Sequence, residues 1–158
     1  MVILIFTLIL LYILISISIE DLRTMLISEN KFIIFSAFGI AYLIYLGLSN
    51  ETLNMLDLII KNTFSMFIVF IILSSISYIS YKITGINSLG IGDIKLSSIS
   101  TIWLGIELSF ISLCVSFLLS AIYSLNGKIF KRIKPFQQYP FAPFLSIGIF
   151  YSWIIDKI

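Results

Sequence analysis

The sequence predicts an all-α, polytopic membrane protein with six transmembrane helices. Three observations carry that reading. Hydrophobic residues make up 59% of the 158-residue chain and charged residues only 11%. The mean hydropathy is +1.12. The apolar residues also gather in uncharged runs long enough to cross a bilayer. A soluble domain of this size could not hide so much apolar surface, so its solvent is lipid. No hydrophilic stretch is long enough to fold separately, and residues 1–158 read as a single integral-membrane domain.

Five runs, 2–19, 32–48, 62–81, 108–125 and 139–155, hold 17 to 20 residues each, enough to cross roughly 30 Å of hydrocarbon as helix. The first lacks a basic leading region and a small-residue cleavage site, so it is expected to remain as an anchor. The sixth span must come from 83–107, where the uncharged run 96–106 is only 11 residues long. It crosses comfortably only if the helix begins earlier, which puts Asp93 at or inside the membrane surface. The alternative fuses 94–125 into one helix through Glu107 and leaves five spans.

The positive-inside rule separates the two arrangements. Six spans put Arg23, Lys31, Lys82, Lys95, Lys128, Lys131, Arg132 and Lys134 on one side, with Lys61 and Lys157 on the other. Five spans split the basic residues evenly. Six spans are therefore expected, with both termini outside and the basic loops in the cytoplasm. Asp21 and Asp93 then fall on the same side, at one depth of the bundle.

Absences narrow the chemistry. The chain has no histidine, which removes the Ser-His-Asp triad, the Cys-His dyad and the helical HExxH zinc site. The single cysteine, Cys114, has no partner for a disulfide or a CxxC metal site, and is expected to be a small buried hydrophobe. Neither a metal nor another cofactor is called for. Any catalysis must come from carboxylates, lysines, hydroxyls or the backbone.

Asp93 lies in "LGIGDIKLSS" (89–98), behind Gly90 and Gly92. An ionisable residue at a membrane boundary needs a partner or a purpose to offset its desolvation. Two aspartates brought together share a proton. Such a pair suits hydrolysis: one carboxylate draws a proton from water while the other protonates or polarises the scissile carbonyl. The two glycines would let a substrate backbone or a neighbouring helix approach closely. The plainer reading makes Asp93 and Lys95 interfacial charges ending a loop, and Asp21 a stop to the first span. Spacing does not choose between Asp21 and its neighbour Glu20.

Other features have bland readings beside functional ones. Lys95, two residues beyond Asp93, points to a different helix face and reads as a lipid anchor. Lys128, Lys131, Arg132 and Lys134 form a basic loop that reads as a topology determinant touching anionic lipid, not nucleic acid. Pro140 and Pro143 break or kink the start of the last span, shaping a substrate cleft or only setting the helix entry. Glu107 has no assigned role, and the aromatic residues face lipid or pack.

Three segments together resemble a known family. "GIGDIKL" (90–96) matches the GxGD signature of membrane aspartyl proteases and, with its lysine and leucine, resembles the type IV prepilin peptidases. "DLRTMLISEN" (21–30) resembles their first aspartate motif, and "YPFAPFLSIG" (139–148) the Pro-Phe-Gly-Pro-Phe-Leu segment of their last helix. The resemblance implies a GxGD aspartyl protease-like bundle with Asp21 and Asp93 as the catalytic pair. It implies cleavage of a short basic leader from type IV prepilins or pseudopilins, at the cytoplasmic face of a prokaryotic inner membrane. Ser28 and Glu29 depart from the family's usual Pro and Asp or Asn, and Ala142 replaces a common glycine. The chain also resembles the short, peptidase-only members, with no loop of the kind that accompanies pilin methylation.

A second class of function stands beside the peptidase. The chain could be a non-catalytic membrane protein, either a degenerate peptidase relative or a small ion- or proton-coupled transporter subunit whose aspartates bind a cation or proton. Transporters of that kind often carry paired broken helices in an internal repeat. No convincing repeat is visible, and Ser28 and Glu29 are what keep a degenerate relative in view.

Overall fold

The computed structural model describes residues 2–49, 54–85, 89–129 and 139–157. These residues hold no strand and form five helices: α1 (Val2–Thr24), α2 (Glu29–Ser49), α3 (Met55–Thr84), α4 (Ile91–Ile129) and α5 (Ala142–Lys157). The reason is the solvent. Lipid offers backbone groups no hydrogen bonds, so each segment must satisfy its own. Serine and threonine follow the same rule, donating to carbonyls one turn back, as Ser18 does to Leu14 and Ser116 to Ser112. Most of the buried serine hydroxyls in this serine-rich chain are satisfied in this way or by a neighbouring segment, those of Ser112 and Ser152 being the exceptions among the described residues.

Four helices, α1 to α4, are long and apolar enough to cross a membrane, and the chain is a multi-pass membrane protein. That is two fewer than the six expected. α5 has only 16 residues, about 24 Å of helix, and α4 extends over 39 residues. Yet α4 is not straight. Gly105 inside it has φ 74° and ψ 176°, a conformation that is essentially glycine's alone. The contacts on either side of Gly105 show what this does.

Before Gly105, α4 runs alongside α2: Lys95 meets Glu29, and Trp103 donates to the Phe35 carbonyl at 3.0 Å. After it, the chain climbs back along α5. Ser112 and Ser116 lie against Gly148, Phe117 against Phe141 and Ser120 against Tyr139. α5 itself runs from Ala142, beside Asp21, to Trp153, beside Thr7. The limbs 91–104 and 106–129 therefore travel in opposite directions. Asn62 of α3 holds the bend, donating to the Ile102 carbonyl at 3.3 Å while the Thr101 hydroxyl donates to the Asn62 carbonyl.

The core runs along the bundle, from Ile17, Ile94 and Ala142 near the aspartates to an aromatic cluster at the other end. Trp103 stacks between Phe35 and Tyr42, with ring centroids 5.8 and 5.9 Å away, and meets Trp153 edge-on at 5.6 Å. Lys157 donates to the Tyr42 hydroxyl at 2.6 Å. Small residues let the helices close up: a Cβ on Gly148 would sit 2.3 Å from the Ser112 carbonyl oxygen, close packing of the kind that associates helices in lipid. The outer faces are mostly apolar. Cys114 belongs to them and is exposed, a correction to its expected burial; a thiol is apolar enough to face lipid. Lys131, Arg132 and Lys134 lie outside the described residues.

Candidate active site

Asp21 lies in the last turn of α1 on the inner face of the bundle, one turn beyond Ile17 and two beyond Leu14, and is 5% exposed. The stripe Leu10, Ile13, Leu14, Ile17, Asp21 has helical period, so the aspartate continues a core face. Its neighbour Glu20 points elsewhere. Glu20 accepts from the Ser28 backbone N–H and hydroxyl, both at 3.2 Å, and pairs with Lys31 at 3.2 Å. Structure thus separates two carboxylates that spacing left equivalent: Asp21 faces the bundle, Glu20 clamps the start of α2.

The partner of Asp21 is the N-terminus of α5. Ala142 N–H donates to Asp21 Oδ2 at 3.0 Å. The first N–H groups of a helix have no partner within it, and they carry the positive end of its dipole. A carboxylate is a natural acceptor there. Pro140 precedes α5 and Pro143 lies in its first turn, where a missing N–H costs nothing. The prolines set the helix entry, and with it the N–H that reaches Asp21.

Asp93 is arranged by parallel means. The Gly90 carbonyl accepts from Ile94 N–H at 3.1 Å, which makes Gly90 the residue capping α4 and Asp93 the third residue of the helix. The Asp93 side chain turns back over Gly90 and accepts its backbone N–H, as acidic residues at that position do. A Cβ on Gly90 would lie 3.1 Å from Asp93 Oδ2. Gly92 faces Ile27 in the 25–28 turn, and a Cβ there would sit 3.4 Å from Ile27 Cδ1. The space the glycines leave is filled by this chain's own groups, a carboxylate and an isoleucine.

Asp21 lies within electrostatic reach of Asp93. The two aspartates, far apart in sequence, stand at the same end of the bundle, each on the N-terminus of a helix. Each is held through a backbone N–H, and a carboxylate held by one such bond keeps acceptor capacity for water or substrate.

Two joints fix this geometry that sequence reading did not foresee. Glu20, Ser28 and Lys31 tie α1 to α2. Glu29 pairs with Lys95, tying α2 to the helix that carries Asp93. Lys95 is therefore an ion-pair partner and not a lipid anchor. Both departures from the family motif serve these joints: Ser28 supplies an N–H that a proline lacks, and Glu29 supplies the acid for Lys95. Opposite charges flanking each helix start were the available signal, but pairing them needs the tertiary arrangement.

Comparison with known proteins agrees with the motifs. The family model described as "Type IV leader peptidase family" matches residues 8–125, which include both aspartate segments.

The chain belongs to the type IV leader peptidase family.

No curated protein and no solved structure matches it. The family match ends before the 139–148 segment, so the contact between Asp21 and α5 is an observation of the structure alone. For a type IV leader peptidase family member, membrane-crossing helices and an acidic pair at one end are a coherent set.

Proposed function

We propose that the chain is a membrane aspartyl endopeptidase that uses Asp21 and Asp93 to remove the leader from prepilins or pseudopilins. The observation that carries this is the convergence of the two family aspartates at one end of the bundle, each on a helix N-terminus. In the proposed reaction one carboxylate takes a proton from water as its oxygen attacks the scissile carbonyl, and the other gives a proton to that carbonyl oxygen. Transfer of a proton to the amide nitrogen then breaks the C–N bond. Neither step needs a covalent intermediate.

The crossing number and side follow as parts of the same proposal. With the two limbs of α4 counted separately, the helices make six crossings, and the limb 91–104, about 21 Å long, starts below the near surface. Arg23, Lys31, Lys82 and Lys95 gather at the end carrying the aspartates, against Lys61 and Lys157 at the other, which favours a cytoplasmic site. The test is cleavage of a prepilin-like peptide by the protein in lipid. Wild type should cut it, and Asp21→Asn and Asp93→Asn should each abolish cutting. Equal inactivity of wild type and both variants on a cognate prepilin would leave the non-catalytic reading in its place.

A further inference from the structure

We propose that the outer face of α1 holds one anionic phospholipid, with its phosphate on Arg23. A groove of about 390 Å³ runs along this face, opposite the Asp21 stripe. Its apolar part is Tyr12, Ile15 and Ile19, all exposed, and its polar part is Ser16 and Thr24 with the charged Glu20, Arg23 and Lys31. The positions recur at helical spacing, so the groove follows the helix axis from Tyr12 to Arg23. That distance is about 16 Å, close to half the ~30 Å hydrocarbon thickness. An acyl chain lying in it would reach from headgroup level to the bilayer centre.

The charges select the headgroup. Glu20 is committed to Lys31 and to Ser28. Among the described residues Arg23 has no ion-pair partner, which leaves the mouth of the groove with one cation in excess. A guanidinium binds phosphate through two parallel N–H bonds. Lys31 also donates to the Ser16 carbonyl, so it braces the groove wall while Arg23 stays free. An anionic lipid satisfies both ends of the groove at once. The site lies on a different face of α1 from Asp21, and it stands whether or not the chain cleaves peptides.

The test is native mass spectrometry of the full chain in detergent, titrated with phosphatidylglycerol or with phosphatidylcholine of the same acyl chains. Wild type should bind one phosphatidylglycerol about fivefold more tightly than phosphatidylcholine, the size expected of one cation at the membrane surface. Arg23→Gln should remove that preference without changing the thermal melt, and Arg23→Lys should keep most of it. Ile15→Trp, which fills the apolar part without touching the charge, should weaken both lipids. Equal affinity for the two lipids in wild type would overturn the proposal. So would an unchanged preference in Arg23→Gln, competition by soluble glycerol phosphate at the lipid's own potency, or a dimer mass in place of the lipid adduct.

Discussion

Asp21 and Asp93 are held by backbone N–H groups, and an asparagine can accept the same bond through its amide oxygen. Asp21→Asn and Asp93→Asn should therefore melt close to wild type while losing peptide cleavage, a separation read by pairing a thermal melt with the assay. An inactive variant that also unfolds would point to a structural role for that carboxylate. Met25 presents the opposite case, a residue whose backbone is strained. It has φ 53° at the end of α1, where its N–H donates to the Asp21 carbonyl at 2.9 Å. Glycine is the usual residue in that conformation. Met25→Gly should stabilise the protein by about 1 kcal/mol, seen as a higher melting temperature with cleavage retained.

Among elements, the informative contacts are the joints between helices. The Glu29–Lys95 pair is partly exposed, with side-chain exposures of 71% and 35%, so its net worth is about 0.2–1 kcal/mol. Glu29→Lys or Lys95→Glu should lower cleavage more than stability, because the pair orients the helix that carries Asp93. The double swap should recover much of the cleavage lost by either single change, measured as kcat/KM. The bend at Gly105 is less forgiving. Gly105→Ala keeps every contact but forces a side chain into a glycine conformation, which should cost about 1–3 kcal/mol. A melt unchanged by that substitution would mean that the two limbs do not depend on the bend.

For the whole molecule the question is how many times the chain crosses the bilayer. Cysteine labelling in sealed vesicles answers it on a Cys114→Ser background. Single cysteines replacing Arg23, Lys82 or Asn126 should react from one side, and those replacing Asn54, Glu107 or Lys157 from the other. A single crossing by α4, with α5 crossing back, would move Asn126 to the far side and Lys157 to the near one, and would leave Glu107 within the bilayer. Labelling of Glu107 is the decisive arm, because it reads the bend directly.

Much of this was legible in one dimension because lipid makes hydropathy a simple code. A run of uncharged residues has few choices but helix, and the motif segments around Asp21 and Asp93 point to the type IV leader peptidase family that the family model then matched. Charge asymmetry also put the two aspartates on one side before any contact was known. Other features depend on contacts between segments distant in the chain. Nothing in the local sequence separates Glu20 from Asp21. Their side chains leave the helix about 100° apart, and only the packing of α5 decides which one is inside. The pairing of Lys95 with Glu29, the donation from Ala142 and the reversal at Gly105 likewise rest on groups that meet only in the folded bundle. Composition and order determined that the chain is a bundle of membrane helices carrying two acids in recognisable motifs; tertiary packing decided that Asp21 lies inside against α5 while Glu20 and Glu29 hold helices in place, because those contacts join segments distant in the chain.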